Sequence, residues 1–120
     1  MAYSEPYEAI DEQTRNISRA LTSLREELEA IDWYNQRVNT TTDQELKSIM
    51  AHNRDEEIEH AVMAMEWLRR NMAGFDEDMK TYLFTEGSLL EVEKQATSAD
   101  GSAGTEGPKA GGMTIGNLKK

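Results

Sequence analysis

No proline or glycine interrupts the chain between Pro6 and Gly74, and this interval constrains the fold more than any other feature. A stretch of that length without a backbone breaker, rich in Ala, Leu, Glu, Arg, Met and Gln, favours helix over other regular structure. Its apolar residues agree. Ile10, Ile17, Leu21, Leu24, Leu28, Ile31 and Val38 recur at steps of three, four and seven, which puts them on one helical stripe. The pattern predicts a first helix from about Pro6 to Val38. Asn39-Thr-Thr-Thr42 then breaks it with β-branched and cap-forming residues. A second helix is expected with Thr42 as N-cap and Glu45 completing a capping box. It runs through Leu46, Ile49, Met50, Ala64, Trp67 and Leu68, and is expected to end near Asn71–Gly74, where glycine suits a C-terminal cap. A third, shorter helix is expected over Asp76–Glu91. The fold class is therefore all-α: an antiparallel helical hairpin plus a short third helix.

Composition shifts near residue 95. The stretch ATSADGSAGTEGPKAGG is small, polar and glycine-rich, which predicts a flexible linker over 95–112 after a helical domain over 1–94. The last eight residues, 113–120, read MTIGNLKK, with Ile115 and Leu118 apolar at the tip of a polar tether. Two readings stand: a frayed terminus, or a short docking peptide that orders only on binding a partner.

The formal charge is −10 and there is no cysteine. So acidic a chain is repelled by nucleic acid and by anionic membrane surfaces. The missing thiols exclude disulfides, thiolate metal sites and cysteine nucleophiles, and leave His and carboxylates as the available metal ligands. No run of ~18 apolar residues and no leader-like N-terminus occurs, so the expectation is a soluble, unexported, cytoplasmic protein.

The second helix then poses a problem. On a helical wheel, Asn53, Glu57 and His60 fall in the same sector as Leu46, Ile49, Met50, Ala61, Ala64, Trp67 and Leu68. Glu57 and His60, an E-x-x-H pair, thus project where the core should lie. An unpartnered buried carboxylate is costly, so Glu57 must be protonated, paired or metal-bound. A Glu–His hydrogen bond or a salt bridge to Arg54 or Arg37 is the structural alternative. On the first helix, Glu27 flanks the apolar stripe between Leu24 and Ile31, and Tyr34 projects the same way.

Carboxylate-bridged di-iron bundles use two helices with a single Glu and two with E-x-x-H. This chain has one of each, and a dimer of hairpins would supply both sets from Glu27, Glu57 and His60 of each subunit. Oxygen-rich ligation with one imidazole per metal suits non-haem Fe(II), with Mn and Zn as competitors. Tyr34 would either tune that site or pack in the bundle core. Glu26 and Glu29, one turn apart on the opposite side with Trp33 nearby, form either a solvated face or a second cation site. His52 reads as surface. Ile58, Val62 and Met65 form a second apolar strip suited to a further neighbour.

EELEAIDWYNQRV (26–38), HNRDEEIEHAVMAMEWLRR (52–70) and TYLFTEG (81–87) together resemble the encapsulated ferritins, the ferritin-like cargo of encapsulin compartments. The resemblance covers about residues 10–90, and the TIGNLKK tail looks like the peptide by which such cargo docks in the shell. It implies a ferritin-like four-helix bundle formed by dimerisation, within a decameric ring of five dimers. It implies a di-iron ferroxidase centre at Glu27, Glu57 and His60 of both subunits, with Trp33 and Tyr34 close by. Glu26 and Glu29 would be a secondary metal site on the ingress route, with Ca, Mn or Zn as occupants of secondary or substituted sites. Thr114, Ile115, Gly116, Asn117 and Leu118 would dock to the encapsulin shell protein. The implied function is oxidation of Fe(II) for iron mineralisation and storage inside an encapsulin nanocompartment in the cytoplasm. The rivals are a non-catalytic helical interaction protein and a di-iron peroxidase or oxygenase.

Overall fold

The computed structural model describes residues 3–103. They form two compact units, one through Asp76 and one from Glu77. The first is a hairpin of two long helices, α1 (Glu12–Thr40) and α2 (Gln44–Asn71). The helical hairpin expected from the periodicity is present, and no strand occurs among the described residues.

Local chemistry sets the helix ends. Pro6 opens a single 3-10 turn, Tyr7–Ala9, rather than α1 itself. That turn is held to α1 by Arg15, whose Nη2 donates to the Tyr7 carbonyl at 2.6 Å while its guanidinium lies 3.7 Å from the Tyr7 ring centroid. Asp11 caps α1 by accepting from the Thr14 amide at 2.8 Å. The cap of α2 is Asp43, which accepts from the Leu46 amide at 2.9 Å, in place of the expected Thr42. Both residue types can cap, and Thr42 sits one position too early to reach the N3 amide. Met72, with extended backbone, ends α2, so Gly74 is not a C-terminal cap but belongs to the start of α3 (Ala73–Tyr82).

Arg69 bridges Glu66 on α2 and Asp76 on α3, and Arg70 Nε adds a 2.7 Å bond to Glu66. The two guanidiniums hold the Glu66 carboxyl well below the usual range, at about 2.

The expected third helix is two helices. α3 ends at Tyr82, and α4 begins at Leu89 and runs to Ala103. Between them Phe84 and Gly87 take positive φ of 63° and 86°, which no helix accommodates. Ser88 caps the new helix, its Oγ accepting from the Glu91 amide at 3.3 Å. α4 extends over 95–103, positions that composition assigns to a linker; Gln95 and Ala96 are good helix formers there. The docking residues Thr114–Leu118 lie outside the described residues. None of the described helices is long and apolar enough to cross a membrane.

The hairpin core is thin. Among the described residues only Ala61 and Leu68 are fully buried, at 2% and 0% exposure. Leu46, Ile49, Ile58 and Val62 remain half-exposed. The apolar sector of α2 is wider than one neighbouring helix can cover, so part of it is left in water.

Candidate metal centre

Glu27 of α1 and Glu57 and His60 of α2 converge. One ligand atom from each lies within 4.8 Å of the other two. His60 Nδ1 is 3.4 Å from Glu57 Oε1 and 3.8 Å from Glu27 Oε1. The i,i+3 spacing puts Glu57 and His60 on adjacent turns of one face, and the antiparallel packing of α1 supplies Glu27 from across the seam. These groups are not deep in the core as the wheel suggests. The two carboxylates are about a quarter exposed and the imidazole about half. The seam takes Ala61 and Leu68, and the rest of the sector turns outward.

The electrostatics are those of two carboxyls and an imidazole held close together. The Glu27 and Glu57 carboxyl groups approach closely enough to compete for one proton, and this contact is the main reason the Glu27 pKa is raised. Burial and the Glu57 charge add to it, His60 pulls it back, and Glu26 adds a final push. The structural alternative is only half realised. His60 does meet both carboxylates, but neither guanidinium reaches them. Arg54 bonds to Asn35 and Asp55, and Arg37 lies over the Tyr34 ring, 5.4 Å from its centroid. Two carboxylates and an imidazole, with no guanidinium between them, fit a divalent cation of the Mn, Fe or Zn class.

Glu26 and Glu29 are both exposed and, with Thr22, Arg25 and Leu28, line a cavity of about 480 Å³. Trp33 is half-exposed and is not part of that lining. His52 is exposed, as expected, and its Nε2 lies 3.8 Å from Glu56 Oε2. Sequence reading missed the place of Arg54 between α1 and α2, where it bonds Asn35, naming it only as a partner for Glu57. The signal was the seven-residue spacing of Arg54, Ala61 and Leu68.

An all-α hairpin that brings Glu, Glu and His within reach of one ion defines a protein of the ferritin-like helical class. Residues 2–86 match the EncFtn-like family, and the chain belongs to that family. It is 52% identical to the "Encapsulated ferritin-like protein" of Rhodospirillum rubrum over 120 residues, covering 96% of this chain and 86% of that protein. It is 49% identical to the "Ferritin-like protein" of Thermotoga maritima over 102 residues, covering 85% of this chain and 90% of that protein. The crystal structure of protein ne0167 from Nitrosomonas europaea is similar at 55% identity and a TM-score of 0.72, covering 74% of this chain and 98% of that one. Membership of the family supports an iron-related, ferritin-like function.

Proposed function

We propose that this protein is a ferroxidase whose substrate, Fe(II), binds at Glu27, Glu57 and His60 and is oxidised to Fe(III) with dioxygen as the electron acceptor. The observation that carries this reading is the meeting of those three side chains, drawn from two helices, within 4.8 Å. Anionic carboxylates bind the trivalent ion better than the divalent one, so the ligand set favours the product charge state. The imidazole contributes a neutral nitrogen donor and orients against both carboxylates.

One chain holds three donors, and twofold pairing of hairpins completes a pocket for two irons. The half-exposed apolar residues in the same sector of α2, Leu46 and Ile49, suit such an interface. Further assembly into a decameric ring of five dimers is part of the same proposal. Glu26 and Glu29 collect Fe(II) from solution and pass it inward, with Trp33 beside them. Tyr34 sits on the same stripe as Glu27 and closes the site. The printed name of the Rhodospirillum rubrum relative supports enclosure. On this reading Thr114–Leu118 attach the chain to an encapsulin shell, and the oxidised iron is mineralised inside it.

The test is oxidation itself. Aerobic Fe(II) addition to the purified full chain should develop the near-ultraviolet absorbance of Fe(III), and Glu57→Ala or Glu27→Ala should slow it at least tenfold with helicity intact. Equal rates in wild type and both variants would remove the assignment. Metal-free protein with no spectral response to Fe(II) in air would favour the non-catalytic helical rival.

A further inference from the structure

We infer that Arg54 and Asn35 are a positioning pair, holding α1 and α2 in the register at which Glu27 meets Glu57 and His60. The inference rests on the metal reading of those three residues and adds two that touch no ligand atom in it.

Arg54, Ala61 and Leu68 are spaced by seven along α2 and therefore share one seam, facing α1. Two of the three are the fully buried residues of the hairpin. The third carries a guanidinium, with its side chain only 26% exposed. Its Nη1 donates to Asn35 Oδ1 on α1 at 3.0 Å, and its Nε donates to Asp55 Oδ1 at 3.1 Å. The Asp55 bond orients the guanidinium, so the Asn35 bond is directional rather than a loose charge contact. An antiparallel register that sets Asn35 opposite Arg54 also sets Leu28 level with Ala61, and Leu21 level with Leu68.

Such a pin matters because the seam is otherwise poorly specified. Aliphatic side chains tolerate sliding, and a polar residue at a seam position is a known way to select one register. Sliding would be ruinous here. A slip of one residue displaces a helix by ~1.5 Å and turns it by ~100°. That is enough to carry Glu27 away from a cluster whose atoms span 4.8 Å. The other side-chain hydrogen bond between α1 and α2 among the described residues, Gln13 Nε2 to Asn71 Oδ1, is longer at 3.4 Å and lies toward the opposite end of the hairpin. The Glu27–His60 contact falls between the two. Because the Arg54–Asn35 bond is solvent-accessible, it adds little to stability; its effect falls on geometry.

The experiment measures Mn(II) binding, a redox-inert probe, by calorimetry on the full-length assembled protein, alongside thermal unfolding followed by circular dichroism. Arg54→Met keeps the length and helix propensity of the side chain while removing its donors, and Asn35→Ala removes the acceptor. Each should weaken Mn(II) binding about tenfold, the size typical of losing a residue that supports metal ligands. Helicity should be unchanged and Tm nearly so. The exchanged pair N35R/R54N should recover most of the affinity, which a merely destabilising substitution would not. Wild-type affinity in Arg54→Met, a loss that tracks Tm, or no recovery in the exchanged pair would overturn the positioning role alone. No Mn(II) or Fe(II) binding by the wild-type protein would overturn the metal reading with it.

Discussion

Replacing Glu57 by Gln should make the metal-free protein more stable while destroying its affinity for iron. Glu27 and Glu57 present carboxylate oxygens within 4.8 Å of each other. At that separation two unit charges repel by about 1 kcal/mol in a water-like medium and about 3.5 kcal/mol at the effective dielectric of a protein surface. Both groups are about a quarter exposed, so the lower part of that range applies, and a gain of about 1 kcal/mol is expected at pH 7. The sign with pH follows from the raised Glu27 pKa. In the wild type, the contribution of Glu27 is fully present below its unfolded value near 4.5 and is lost as pH rises through the higher folded value. Glu57→Gln should flatten that loss, so the two proteins converge in acid and separate toward neutral pH. The assay is urea unfolding of metal-free protein between pH 4.5 and 8, at one fixed protein concentration because assembly shifts apparent stability. A variant less stable than wild type at pH 7 with unchanged helicity, or a difference independent of pH, would refute the reasoning.

Other expectations are independent of the metal site. Leu68→Ala removes the one large side chain that is fully buried among the described residues and should cost about 3–5 kcal/mol, read as a lowered urea midpoint at constant slope. Glu66 is held at about 2, so its pairing with Arg69 and Arg70 stabilises above its unfolded value near 4.5 and is lost as pH falls through about 2. Glu66→Gln should abolish that part of the acid transition, and an unchanged acid unfolding curve would show the network to be inert. Deleting residues 113–120 should prevent loading into an encapsulin shell while leaving Fe(II) oxidation at the wild-type rate. Co-purification of the truncated chain with the shell would remove the docking role.

The long helices and the Glu57–His60 pair were legible because their information is local. Uninterrupted helix formers and an i,i+3 spacing need no knowledge of a partner element, whereas the α2 cap was read one residue early, at Thr42 rather than Asp43. Glu27 was legible only through its position on the flank of a stripe, since its meeting with Glu57 depends on the register between helices. The break after Tyr82 was not legible in full. Gly87 signalled weakness there, but Phe84 at positive φ is an unusual conformation for an aromatic residue, and nothing local announces it. α4 was overlooked because small polar residues near its end outweighed the Leu-Leu-Glu-Val start. Arg54 was read only as a possible partner for Glu57, and its place in the seam emerges only when Ala61 and Leu68 are seen to be the buried pair.

The close approach of the Glu27 and Glu57 carboxyls, which raises the Glu27 pKa, carries an implication for the medium around the molecule. Where that pair still retains a proton, a cation can enter only by expelling it, so uptake acidifies its surroundings and acid in turn opposes uptake. Within a confined volume, many copies loading together would brake one another through the buffer they share.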